Sequence, residues 1–369
     1  MLSSTKVAGG LPSDVSMMHD GSSGLIVMIT RDHQSFQLEA VIMRVDQFTR
    51  QVILPMTVLI CGCLANTSAA QSPEYETTTY TYKRAGDLEI QADVLRAADD
   101  VVRPVVVWIH GGALILGHRE QIDRRVRERL LKDGYAIVSI DYRLAPETRL
   151  PEIIEDVEDA LAWIRRDGPE LFHIAPNRLA VMGGSAGGYL TLMTGYRVHP
   201  RPTALVAFWG YGELLGHWYN KPSPHPRHNS RKISKVEADA QAGGPVISDA
   251  RQRSGDGGIF YNYCRQQGQW PFRVSGWDPD ADAALYTPYL PVKNVTAEYP
   301  PTLLIHGEED TDVPHEQSVL MAEQFKQHGV EHRLISLPGG EHGLGGADPK
   351  LIDEAYEAAF QFLEHHMQK

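Results

Sequence analysis

Three short stretches carry side chains whose types and spacing suit nucleophilic acyl transfer. Gly183-Gly184-Ser185-Ala186-Gly187 sets one serine among small residues where an apolar run ends. A serine hydroxyl is a weak nucleophile until a base takes its proton. That base in turn needs an acid to hold its tautomer and stabilise its cation. Gly340-Glu341-His342-Gly343 offers the base at His342, and His306-Gly307-Glu308-Glu309-Asp310 offers the acid at Asp310. Glu308, Glu309 and Asp312 are rivals for the acid; motif position favours Asp310, with Asp312 the main competitor. A further stretch, His110-Gly111-Gly112-Ala113, pairs two glycines whose backbone N–H groups can approach a developing oxyanion. Gly111 and Gly112, joined by the N–H of Ala186, are the expected oxyanion hole, and one such donor is worth about 2.7–4 kcal/mol in the transition state. His110 reads as an organiser of its loop and not as a proton carrier. An imidazole base predicts activity that rises with pH through about 6–7.

These residues need a rigid frame, and the patterning supplies one. Thr77–Arg84 and Leu88–Arg96 alternate at period two around Ala85-Gly86-Asp87, which predicts an antiparallel hairpin. Pro104–His110 is a continuous apolar run, the mark of a strand buried on both faces. Helix-like Arg119–Gly134, a strand at Tyr135–Ile140, helix-like Pro151–Arg166 and a strand at Arg178–Gly183 follow, then another helix. Strands at Thr203–Trp209, Thr302–Gly307 and His332–Leu337 and two further helices complete the order. Strands alternating with helices imply an α/β fold, a mostly parallel central sheet covered by helices on both faces. In such sheets ligands bind beyond the carboxyl ends of the strands, where all four motifs fall. Tyr211–Pro291 breaks the rhythm and is too long for a bare loop, so it predicts a cap inserted before the penultimate strand.

The order serine, acid, histidine, each at a strand end, is that of α/β-hydrolases. His110–Ala113, Asp141-Tyr142-Arg143-Leu144-Ala145-Pro146-Glu147 and Gly183–Gly188 together resemble the hormone-sensitive-lipase-like esterases (α/β-hydrolase fold-3) of bacteria. The segments around Asp310 and His342 look equally like the prolyl oligopeptidase and feruloyl and acetyl-xylan esterase branches of that superfamily. The resemblance implies a serine hydrolase, foremost a carboxylesterase working through an acyl-enzyme on Ser185 without a cofactor. It also implies that Asp141 and Arg143 support the site without reacting. A prolyl oligopeptidase-like peptidase is the alternative, although nothing here could form the large propeller such peptidases usually carry. A non-catalytic binding protein of the same fold is the third reading. The lipase-like esterases usually have an N-terminal helical cap, for which residues 71–76 are too few, so the insertion at 211–291 must serve. Its aromatics, among them Trp209, Trp218, Trp270 and Trp277, suit either a substrate pocket or the cap's own core.

The net charge of −12, with no strongly basic stretch, argues against a nucleic-acid partner. The substrate is expected to be a small-molecule ester. No metal is expected: the spacing of His217, His225 and His228 fits no ligand pattern and reads as a solvated loop. Arg44 and Arg50, the apolar run Val52–Ala65 and the small residues Ser68 and Ala70 describe a secretory signal over residues 43–70, cleaved near Ala70. The run is too short for a transmembrane helix. Export is therefore expected, with lipid anchoring at Cys63 the minor reading. Residues 1–42 read as an upstream extension from an early start, and residues 71–369 as the catalytic domain. Loss of Cys61 and Cys63 with the signal would leave Cys264 alone and exclude an internal disulfide.

Overall fold

The computed structural model of the chain describes residues 75–368 together with three short N-terminal strands. Those strands, β1 (Val15–Asp20), β2 (Leu25–Thr30) and β3 (Glu39–Arg44), pair antiparallel in a sheet of their own. They belong to a separate unit, Met1–Ala69. The signal reading falls mostly outside the described residues, as do Cys61, Cys63 and the cleavage point near Ala70.

The second unit is built on an eight-stranded sheet. Its strands are β4 (Tyr75–Ala85), β5 (Leu88–Ala97), β6 (Arg103–Ile109), β7 (Ala136–Ile140), β8 (Ile174–Gly184), β9 (Ala204–Phe208), β10 (Thr302–Gly307) and β11 (His332–Leu337). The spatial order is β11-β10-β9-β8-β6-β7-β5-β4. β6 to β11 run parallel, and the β4–β5 hairpin closes one edge antiparallel to β7. This is the α/β arrangement that the patterning predicts.

β6 shows why the parallel strands read as unbroken apolar runs. Val105, Val107 and Ile109 enter the core on one face of the sheet, while Val106 and Trp108 enter the core on the other. Alternate residues of one strand therefore fill two separate cores. Helices α1 (Arg124–Lys132) and α10 (Pro349–Met367) cover one face, and α2 (Leu150–Phe172) and α3 (Ala186–Arg197) the other. Helix α9 (Glu316–Gln327) packs beside β11.

Two local readings need correction. Helix α1 starts at Arg124 and not near Arg119, because the Asp123 carboxylate accepts from the N–H groups of Arg125 and Val126 and caps the helix there. Arg119 instead remains in the preceding loop, bound to Asp93 and Asp141. Between β9 and β10 the chain carries five short helices, α4 (His217–Asn220), α5 (Lys235–Asp239), α6 (Gly258–Gln267), α7 (Trp270–Ser275) and α8 (Ala283–Tyr286). In the loop between α4 and α5, His228 is only 3% exposed, so the solvated reading fails for that residue; its imidazole is hydrogen-bonded on both nitrogens. Among the described residues no helix is long and apolar enough to cross a membrane.

Candidate active site

The sheet register lines up the strand ends that carry the candidate residues. Ile109 pairs with Gly183, Gly184 with Phe208, Phe208 with Ile305, and Gly307 with Leu337. His110–Gly112, Ser185, Asp310 and His342 therefore follow the carboxyl ends of β6, β8, β10 and β11, on one end of the sheet.

Ser185 stands at the sharp turn from β8 into α3, with φ 57 and ψ −121. A serine rarely adopts that backbone, and such strain persists only where the surroundings enforce it. Here the Ser185 N–H is tied to the Phe208 carbonyl at 2.9 Å, and α3 follows at once. The turn is possible because Gly187 lets α3 close onto β6: a Cβ there would collide with the Ile109 carbonyl oxygen.

His342 faces Ser185. Its Nε2 lies 3.0 Å from Ser185 Oγ, and its Nδ1 lies 2.8 Å from Asp310 Oδ2. Asp310 Oδ1 accepts from the N–H groups of Asp312 and Val313 at 2.8 and 2.9 Å. His306, fully buried, adds a contact of 3.2 Å from Nε2 to Asp310 Oδ2. The same Nε2 lies 3.0 Å from the Val313 carbonyl, which can only accept, so this nitrogen carries the proton. Burial alone would raise the Asp310 carboxyl, but hydrogen bonds from His306 and His342 hold it well below the usual carboxylate range. Asp310 is thus placed to fix the His342 tautomer with the proton on Nδ1, leaving Nε2 to accept from the serine. Glu308 and Glu309 are both exposed, away from this contact.

The glycine loop after β6 lies against the serine turn. Gly112 has φ 110, a conformation reserved in practice for glycine, and a Cβ would meet the Leu116 carbonyl oxygen. No carbonyl among the described residues accepts from the N–H of Gly111 or Gly112. Beneath them His110 is fully buried and stacked on Tyr142, with ring centroids 4.3 Å apart. Burial pushes the His110 imidazole down to about 4, so it stays neutral at ordinary pH. The Tyr142 hydroxyl donates to the His110 carbonyl at 3.0 Å. Its neighbours serve as struts: Asp141 binds Arg119, Arg143 holds fully buried Asp156 through two guanidinium nitrogens, and Glu147 pairs with Arg253.

An open pocket of about 390 Å³ runs from Ser185 and Gly111 past Trp108, Ile122 and Asp123 to Trp209. Of the aromatics in and beside the insertion, only Trp209 lines it; Trp270, Tyr211, Tyr219 and Phe260 are buried in the core. Trp108 joins the pocket wall without a motif to announce it. Glu341 is a second side chain that the motifs leave unassigned. Its carboxylate accepts from the His342 N–H, the Thr311 hydroxyl and Arg227, and so anchors the turn that presents the imidazole.

Comparison with known proteins adds to this geometry. Residues 93–225 match the BD-FAE family, and residues 261–369 match the prolyl oligopeptidase family. Among curated proteins, the non-reducing polyketide synthase ascC of Acremonium egyptiacum is 27% identical over 333 residues, covering 79% of this chain and 15% of the synthase. The synthase Preu3 of Preussia isomera is 28% identical over 320 residues, covering 72% and 12%. The chain thus spans only a small part of the length of these relatives. A solved Staphylococcus aureus subsp. aureus Mu50 protein of unknown function aligns over 79% of this chain and 99% of its own, with TM-score 0.63 and 20% identity. The acetyl ester-xyloside bifunctional hydrolase of Caldicellulosiruptor lactoaceticus aligns over 76% and 89%, with TM-score 0.56 and 21% identity. Butyrate-bound esterase 2 of Thermogutta terrifontis aligns over 78% and 94%, with TM-score 0.53 and 20% identity. At these identities the likeness establishes the fold.

Proposed function

The chain belongs to the α/β-hydrolase superfamily, and from that premise we propose that it hydrolyses carboxylic esters through an acyl-enzyme on Ser185. The observation that carries this reading is the unbroken relay from Ser185 Oγ to His342 Nε2 at 3.0 Å and from His342 Nδ1 to Asp310 Oδ2 at 2.8 Å. Ser185 Oγ attacks the ester carbonyl carbon as its proton passes to His342 Nε2. The carbonyl oxygen becomes an oxyanion, held by the N–H groups of Gly111, Gly112 and Ala186. The carbon–oxygen bond to the alcohol then breaks, and Nε2 returns its proton to the departing oxygen. A water molecule repeats the sequence on the acyl-serine, which releases the acid and restores Ser185. No step calls for a cofactor.

A peptidase reading is favoured by one finding, the match of residues 261–369 to the prolyl oligopeptidase family. The relay would act on an amide in the same way, so substrates must decide. The full chain and its Ser185→Ala variant are to be compared on p-nitrophenyl acetate, butyrate and octanoate and on aminoacyl and prolyl p-nitroanilides. We expect ester turnover that vanishes in the variant and no anilide turnover. Anilide turnover would move the assignment to the peptidase branch. Silence on all substrates, with no fluorophosphonate label on Ser185, would make this a binding protein. Export rests on the Arg44–Ala70 pattern alone, and the N-terminal sequence of the processed protein tests it.

A further inference from the structure

Asp312 has one oxygen fully engaged and the other turned to the site. Oδ1 accepts from His228 Nε2 at 2.9 Å, Tyr261 Oη at 2.6 Å and Arg265 Nη1 at 2.7 Å. All three donors come from the insertion between β9 and β10. Arg265 is itself enclosed: its guanidinium carbon lies 5.7, 5.0 and 5.8 Å from the ring centroids of Trp218, Tyr219 and Tyr261. Burial would raise the Asp312 carboxyl, but the His228 hydrogen bond, with His342, Arg265 and Tyr261, holds it far below the usual range. A fixed negative charge therefore stands beside the proton relay. Its side chain keeps 14% exposure, and Oδ2 lies 3.9 Å from His342 Nε2. No hydrogen-bond donor reaches Oδ2 among the described residues.

The mechanism determines what comes to that oxygen. His342 Nε2 returns its proton to the departing alcohol oxygen, so that oxygen must lie within hydrogen-bond reach of Nε2. A hydroxyl on the carbon beside it is then one hydrogen-bond length further on, within reach of a carboxylate oxygen 3.9 Å from Nε2. We propose that Asp312 Oδ2 accepts a hydrogen bond from the alcohol half of the substrate and selects esters whose leaving group carries a second hydroxyl next to the esterified oxygen. An alkyl leaving group would displace water from Oδ2 and give nothing back, and an anionic one would be repelled. This inference rests on the ester-hydrolase reading above.

The test compares 2-hydroxyethyl, 2-methoxyethyl and n-propyl butyrate with the full chain. The hydroxyethyl and propyl esters have the same number of heavy atoms. The methoxyethyl ester keeps the electron-withdrawing oxygen but cannot donate. We expect kcat/KM for the hydroxyethyl ester to exceed that of the other two by about tenfold, the scale of one hydrogen bond to a charged group. Asp312→Asn should bring that ratio close to one. Because this variant strands Arg265 and could disturb the fold, the three-substrate comparison on the unaltered chain decides the matter without it. A propyl rate that equals the hydroxyethyl rate, or a methoxyethyl rate that matches it, overturns the proposal while leaving the esterase standing. If none of the three is hydrolysed faster than by Ser185→Ala, the ester reading falls and this one with it.

Discussion

Two aspartates lie two positions apart, with Thr311 between them, and the histidine separates them by its two nitrogens. Asp310 meets Nδ1 at 2.8 Å, while Asp312 faces Nε2 at 3.9 Å, on the side of the serine. Only a partner at Nδ1 can hold the tautomer that leaves Nε2 free to take the serine proton. Asp310→Asn would present an amide to Nδ1 where a carboxylate belongs, and favour the wrong tautomer. We expect it to lower kcat on n-propyl butyrate by about 10⁴-fold. Asp312→Asn keeps the Nδ1 contact, so its loss on that same ester should be smaller by at least about 100-fold. Steady-state rates of both variants, with thermal melts to show that each is folded, check the assignment. The reverse ranking would make Asp312 the triad acid. Here a short motif was informative because the decisive contacts are local: Asp310 Oδ1 is tied down by the N–H groups two and three residues ahead of it.

At the scale of elements, the site depends on how closely α3 is drawn onto β6. The run of small residues at 183–188 is legible in sequence because close approach leaves no room for side chains, and that demand falls on adjacent positions. Gly187→Ala tests it. The added Cβ would strike the Ile109 carbonyl oxygen, which belongs to the strand that leads into the glycine loop. Relief requires α3 to move outward and take Ser185 with it. Overpacking of this kind costs about 1–3 kcal/mol, and displacement of a reacting atom by about 1 Å can cost about 10²-fold in rate. We expect a lower melting temperature and a fall in kcat/KM of about that size. An unchanged rate would show that the turn tolerates more slack than the packing implies. The insertion was not legible in this way. Its role as donor to Asp312 joins residues 47, 51 and 84 positions apart, from α6 and from the loop before α5. Nothing local at His228, Tyr261 or Arg265 announces a partner so distant, and His228 among prolines looks solvated until the helices pack over it.

Across the whole second unit, polar groups are buried in particular protonation states, and this ties stability to pH. His110 is held neutral, its imidazole pushed down to about 4 by burial, and burial also lowers His228. In the unfolded chain both take up protons near the ordinary histidine value of about 6.5. The unfolded state therefore binds more protons than the folded one as pH falls from there; the His110 contribution is lost toward pH 4, and His228 acts in the same direction. Asp141 works in the opposite sense over part of that window, since burial raises its carboxyl to about 6 in spite of Arg119. The folded state then gains a proton before the unfolded state does, which offsets some of the loss. Below about pH 4 the balance is one-sided, because Asp310 and Asp312 both lie well under the usual carboxylate range and must be protonated for the unfolded chain to be favoured. Melting temperature should be level above about pH 6.5, decline gently from there to about pH 4, and fall steeply below it. A series of thermal melts from about pH 8 down to pH 3 measures this. A melting temperature that held or rose on acidification to pH 3 would mean that the buried histidines and the two aspartates are not in the states that the site requires. The relay and the fold would then have to be read separately. If the expected course is found, the steep acid limb reports the same two carboxylates that hold His342 and, by the inference above, the substrate.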